Sequence, residues 1–252
     1  MNEIKKIWKR ITGFSLFFPL VCLAIVLVVN LIKTPDFFKI SMNNGVLYGY
    51  VIDILNRSSE LIILAVGMTL VVAASGGTDI SVGAVSAVAG AVCIYSLIGG
   101  TSSDIYRIPY GVAILLGILA GVACGVFNGF LVAKLNIQPM VATLILFTAG
   151  RGIAQVLTQG FILYVRKESF KYLGNFLPNI PIPTPIFVAL VVVGLTFVIL
   201  KKTALGLYIQ SVGANRKAAR LVGLNSSLII FLTYVFSGLC AGIAGMIITS
   251  RV

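Results

Sequence analysis

The 252-residue chain has no histidine, one tryptophan and only seven acidic residues. Without an imidazole there is no His ligand for zinc, no base for a Ser-His-Asp triad and no histidine proton shuttle. The few carboxylates form no acid pair and no cluster, so neither a catalytic constellation nor a metal site is expected, and no cofactor is implied. Cysteine is also sparse: Cys22, Cys93, Cys124 and Cys240 lie in apolar stretches without CxxC spacing, which reads as core packing and not as a disulfide or metal framework. No Gly-x-x-x-x-Gly-Lys-Ser/Thr occurs, so nucleotide binding by the P-loop route is excluded and any energy from ATP must come from another subunit.

Charge is the scarcest commodity. Charged residues make up 10% of the chain and apolar ones 59%, against about 25% and 45–50% in ordinary soluble domains. The mean hydropathy is +1.07, and such a chain belongs in a bilayer. Crossing ~30 Å of hydrocarbon takes about 20 apolar residues, and seven apolar stretches can be drawn: 13–32, 61–74, 82–98, 111–133, 137–158, 185–200 and 228–249. All are expected to be helices, because lipid offers the backbone of an open chain no other partner. The fold class is therefore all-α, a polytopic transmembrane bundle with a broken or re-entrant element around 75–83. The first stretch follows Lys5, Lys6, Lys9 and Arg10 but is too long for a signal core and lacks a small-x-small cleavage site, so it reads as a retained span.

The net charge of +12 comes without any nucleic-acid motif and is read as topology and contact with membrane lipid. Lys and Arg are denser in 1–12, 75–81, 134–136 and 201–227 than in the intervening connections, which places the N-terminus in the cytoplasm. Segment 37–60 reads as an external amphipathic element and 160–184 as a second external excursion.

Three features ask for a function. The run Gly76-Gly77-Thr78-Asp79-Ile80-Ser81-Val82-Gly83 joins two short apolar stretches, the sign of a broken helix lining water or buried in protein. Arg151 sits deep in the fifth stretch, where cost should turn it to the bundle interior or a water-filled path. In the cytoplasmic loop 201–227, Asn215 can cap a short helix carrying Ala218, Leu221 and Val222 on one side and ending at Gly223. Gly117, Gly121, Gly125 and Gly129, every fourth residue, mark a close helix-packing face, and Gly238, Gly242 and Gly245 repeat the idea.

Together with Gly67-Met68-Thr69-Leu70, Asn128-Gly129, Gln138 to Leu144 running to Arg151-Gly152, and Val212-Gly213-Ala214-Asn215 with Ala218-Ala219-Arg220 and Gly223, these segments resemble, in order along nearly the whole chain, the permease subunits of bacterial ABC sugar importers of the ribose, xylose and galactose class. Ile52 to Arg57 and Ser237 to Ala241 look closest to the galactofuranose-type permeases. The resemblance implies a single permease domain over 1–252 in the bacterial inner membrane, paired with a second permease subunit, a periplasmic or lipid-anchored sugar-binding protein and an ABC ATPase subunit. It implies a translocation path or core at Gly76, Gly77, Asp79, Ser81, Gly83, Asn128 and Arg151, and coupling to the ATPase through Asn215, Ala218, Ala219, Arg220 and Gly223. Permeases of this class continue beyond the equivalent of Arg251, so the C-terminal part of the family fold is expected to be missing. The alternative reading is a polytopic channel or secondary transporter without an ATPase; the scarcity of intramembrane acids speaks against proton coupling.

Overall fold

A computed structural model describes residues 17–43, 45–99, 106–165, 168–177 and 180–251. The basic residues of the N-terminus and the start of the first apolar stretch lie outside the described residues. The chain divides into two compact units, 1–54 and 55–252.

The first unit holds α1 (Phe17–Lys33), an apolar helix, and a small antiparallel hairpin of β1 (Ser41–Asn43) and β2 (Val46–Tyr48). Gly45 turns between the strands at φ +79°, a conformation that favours glycine. Stacking of Phe37 on Tyr50, with centroids 6.0 Å apart, anchors the hairpin's approach within this unit.

Next comes α2 (Tyr50–Ser75), followed by α3 (Val82–Ile98), α4 (Tyr110–Ala133), α5 (Pro139–Thr158), a short α6 (Glu168–Lys171), α7 (Thr184–Lys202), α8 (Ala204–Ala214), α9 (Arg216–Leu221) and α10 (Ser226–Arg251). Among the described residues, α2, α4, α5, α7 and α10 are long and apolar enough to cross a membrane, while α1 and α3 are apolar helices of 17 residues.

The second stretch is the main correction. An external amphipathic segment was expected to end at residue 60 and a short span to begin at 61, yet one helix runs from Tyr50 to Ser75. Asn56 and Glu60 are not a helix boundary, because a distant cation satisfies them: Arg251 Nη1 donates to Glu60 Oε2 at 2.7 Å, and Nη2 donates to the Asn56 carbonyl at 2.8 Å and Oδ1 at 2.9 Å. Arg251 Nε also donates to the Gly174 carbonyl at 3.0 Å, so one side chain ties α2, the 172–175 turn and the end of α10.

Helix α10 is the axis of the second unit, and its glycines set how near α4 can come. A Cβ on Gly121 would stand 2.7 Å from the Gly238 carbonyl oxygen, and one on Gly125 2.5 Å from that of Tyr234. Gly117 faces Met246 and the Ala89 carbonyl of α3, and Gly129 faces Phe231. Such backbone-to-backbone contact replaces the hydrophobic drive that lipid removes. Cys93 and Cys240 are buried among apolar neighbours, Cys124 is half-buried and Cys22 exposed, all as free thiols.

Candidate functional site

The turn between α2 and α3 is built from its glycines outward. Gly76 ends α2 with φ +67°, and a Cβ on Gly77 would strike Pro139 at 2.5 Å, so the turn lies flat on the first residue of α5. Asp79 is 3% exposed and Ser81 fully buried. Asp79 Oδ1 accepts from the Ser81 N–H at 2.9 Å and from Ser81 Oγ at 2.7 Å. Asn128 Nδ2 donates to Ser81 Oγ at 2.8 Å, and the Ile80 N–H donates to Thr143 Oγ1 at 3.3 Å. With Asn128 donating to Ser81 Oγ, the single Ser81 hydroxyl proton goes to Asp79 Oδ1, which accepts both bonds.

Asn128 lies five residues before the end of α4, so Ser81 is held against the last turns of that helix. Asn128 Oδ1 is buried beside the turn without a hydrogen-bond partner among the described residues, and the fully buried Tyr234 lies near Ser75 and Asp79. Gly83 differs from its neighbours, being exposed with open space around its Cα.

Arg151 does not join this cluster. It was expected to face the bundle interior or a water-filled path; α5 buries Ala142, Thr143, Leu146 and Gly150, so Arg151 stands on the outward side of the helix, its guanidinium 4.1 Å from the Phe147 ring centroid. Depth in the sequence says that an arginine must avoid lipid; it does not say on which side of the helix cover is found. Exposed Thr148 and Gln155, three residues before and four after, share its strip.

The 201–227 loop holds two helices where one was expected. Asn215 Oδ1 caps α9, accepting from the N–H groups of Lys217 and Ala218 at 3.0 Å each, and Gly223 leaves it with φ +86°. Ala219 points back into the chain's own core, in the buried cluster with Leu70, Val71, Ile209 and Val212. Ala218 and Arg220 are exposed, and Leu221 and Val222 are 89% and 76% exposed. The surface open to a partner is thus Ala218, Leu221 and Val222, with Ala219 behind it.

Sequence reasoning took Thr143 only as part of the Gln138 to Leu144 motif and missed Tyr234, an ordinary residue within an apolar run, and the Asn56, Glu60 and Arg251 clamp, whose members lie about 190 residues apart. It also passed over Gly213, where a Cβ would collide with the Ala73 carbonyl; its place in Val212-Gly213-Ala214-Asn215 was the available signal.

Residues 50–252 match the family described as the permease component of branched-chain amino acid transport systems. A galactofuranose transporter permease protein of Escherichia coli K12 is 43% identical over 92% of this chain and 66% of its own length. A fructose import permease of Bifidobacterium longum is 35% identical over 97% and 68%, and a ribose import permease of Haemophilus influenzae 34% identical over 92% and 67%. The chain spans about two thirds of the length of these relatives. No solved structure gives a significant match.

Proposed function

The chain belongs to this permease-component family, and on that premise we propose that it is the membrane subunit of an ATP-driven sugar importer. The supporting observation is similarity to three sugar-import permeases over more than nine tenths of the chain. The same similarity favours this reading over a channel or secondary transporter. ATP hydrolysis then belongs to a separate subunit, sugar capture to a binding protein outside the membrane, and a second permease completes the path. Galactofuranose is the first substrate to test, because the relative named for it is the most similar of the three.

In this reading the outward strip of α5, with Thr148, Arg151 and Gln155, faces the path or the second permease. A guanidinium against lipid costs at least ~2.5–3.5 kcal/mol, and water or protein removes that cost. The buried turn at Asp79 holds α2, α3, α4 and α5 in register beside it. The exposed Ala218, Leu221 and Val222 of α9 form the contact with the ATPase, on the cytoplasmic side with the N-terminus.

The test is uptake of radiolabelled galactofuranose, ribose and fructose by cells expressing the complete gene with the ATPase and binding protein encoded beside it. ATP-dependent accumulation of one sugar supports the reading. Sugar flux that persists with an ATPase unable to hydrolyse ATP assigns the chain to the channel or secondary-transporter class.

A further inference from the structure

On the outer surface of the second unit, α4 and α10 leave an apolar groove of about 610 Å³ walled by Val126, Phe127, Phe130, Leu228 and Phe231. It runs from Ala123 to Lys134, a rise of about 16 Å along α4, the scale of much of an acyl chain. Only one end is polar. There Lys134 stands exposed beside Asn225 and Ser227, where α4 ends and α10 begins.

That end gathers positive charge with nothing to offset it. Arg216 Nη2 and Arg220 Nη2 both donate to the same hydroxyl, Ser227 Oγ, at 3.4 and 3.3 Å. Two guanidiniums one helical turn apart repel each other, and burial followed by the charge of Arg220 lowers the pKa of Arg216 from its ordinary value. Arg216 Nε is buried without a partner. Segments 134–138 and 201–227 contain no Asp or Glu, and among the described residues no ion pair involves Lys134, Arg216 or Arg220. An apolar trough about one acyl chain long, with Lys134 at one end and Arg216 and Arg220 held on the Ser227 hydroxyl that lines it, is complementary to one amphiphile: an acyl tail with an anionic head.

We propose that this groove is a specific binding site for an anionic phospholipid of the leaflet touched by the 203–225 loop, its phosphate held by Lys134, Arg216 and Arg220 and one acyl chain lying along Phe127, Phe130 and Phe231. None of the residues 76–83 lines the groove, and the proposal requires only that the chain is a membrane protein. Bound lipid would brace the start of α10 and the base of α9 against α4.

The test places a reporter in the groove: Phe127→Trp in a Trp8→Phe background, reconstituted into phosphatidylcholine vesicles containing either brominated phosphatidylglycerol or brominated phosphatidylcholine. Tryptophan quenching is expected to give phosphatidylglycerol about a tenfold higher relative affinity. Lys134→Gln alone should lower that preference several-fold, and Lys134→Gln with Arg216→Gln and Arg220→Gln should erase it. Lys201→Gln with Lys202→Gln should leave it intact. Equal quenching by the two lipids, or a preference surviving the triple change in a protein of unchanged helicity, overturns the proposal. No quenching by either lipid assigns the groove to a second copy or another protein and overturns it as well.

Discussion

At Asp79 the deciding quantity is the number of donors left without an acceptor. Both the N–H and the hydroxyl of Ser81 end on one carboxylate oxygen, and the residue is 3% exposed. Asp79→Ala strands both donors and is expected to cost about 1–3 kcal/mol. Asp79→Asn keeps an acceptor at the same place and should cost clearly less. Thermal unfolding of the purified chain in detergent checks the order; an alanine variant as stable as the asparagine one would show that the hydrogen bonds contribute nothing. The Glu60 and Arg251 side chains are only 19% and 17% exposed. Glu60→Ala leaves a partly desolvated guanidinium behind and is expected to cost about 2–3 kcal/mol, somewhat less than the ~3–5 kcal/mol of breaking a fully buried pair. The double variant with Arg251→Ala should recover part of that loss, which a double-mutant cycle reads directly.

Between elements, the distinction that matters is which glycines touch backbone. Gly121 and Gly194 both lie inside long helices, yet a Cβ on Gly121 meets the Gly238 carbonyl oxygen and the Gly242 Cα, whereas one on Gly194 meets nothing within 4 Å. Gly121→Ala should separate α4 from α10 and lower stability. Gly194→Ala should raise it by up to about 1 kcal/mol, because alanine is the better helix former. Opposite shifts in the unfolding temperatures of the two variants are the expected outcome; shifts of the same sign would mean that α4 and α10 adjust freely. The regular spacing of Gly117, Gly121, Gly125 and Gly129 makes one face legible in the sequence. Gly238, Gly242 and Gly245 mark a second face; that the two faces meet is not legible, since contact between helices over a hundred residues apart leaves no local trace.

For the whole molecule, positions within one short helix have different consequences. Ala219 belongs to the chain's own core, so Ala219→Glu buries an unpaired charge there and should prevent stable accumulation of the protein. Leu221 and Val222 are exposed, so Leu221→Asp with Val222→Asp should leave the chain folded and inserted while weakening co-purification of the ATPase and reducing sugar uptake. Unchanged association in that variant would remove α9 from the proposed coupling. Arg151→Leu is likewise expected to leave insertion and unfolding temperature of the single chain unchanged, because no hydrogen bond or ion pair within the described residues depends on it, and to reduce uptake in the assembled importer.

The sequence by itself determined the solvent, the helical class and the approximate place of each apolar helix, because bilayer thickness and backbone satisfaction leave a long apolar segment one solution. It also marked the Gly76 to Gly83 turn, the Asn215 cap and the order of motifs that match known permeases. Tertiary structure alone decided that Asn56 and Glu60 continue a helix, since their partner Arg251 arrives from the far end of the chain. Only packing put Ser81 against Asn128, turned Arg151 outward and Ala219 inward. Hydropathy is summed along a segment and survives any rotation of the helix about its axis. The direction of a single side chain depends on that rotation, which is fixed only by neighbours distant in sequence.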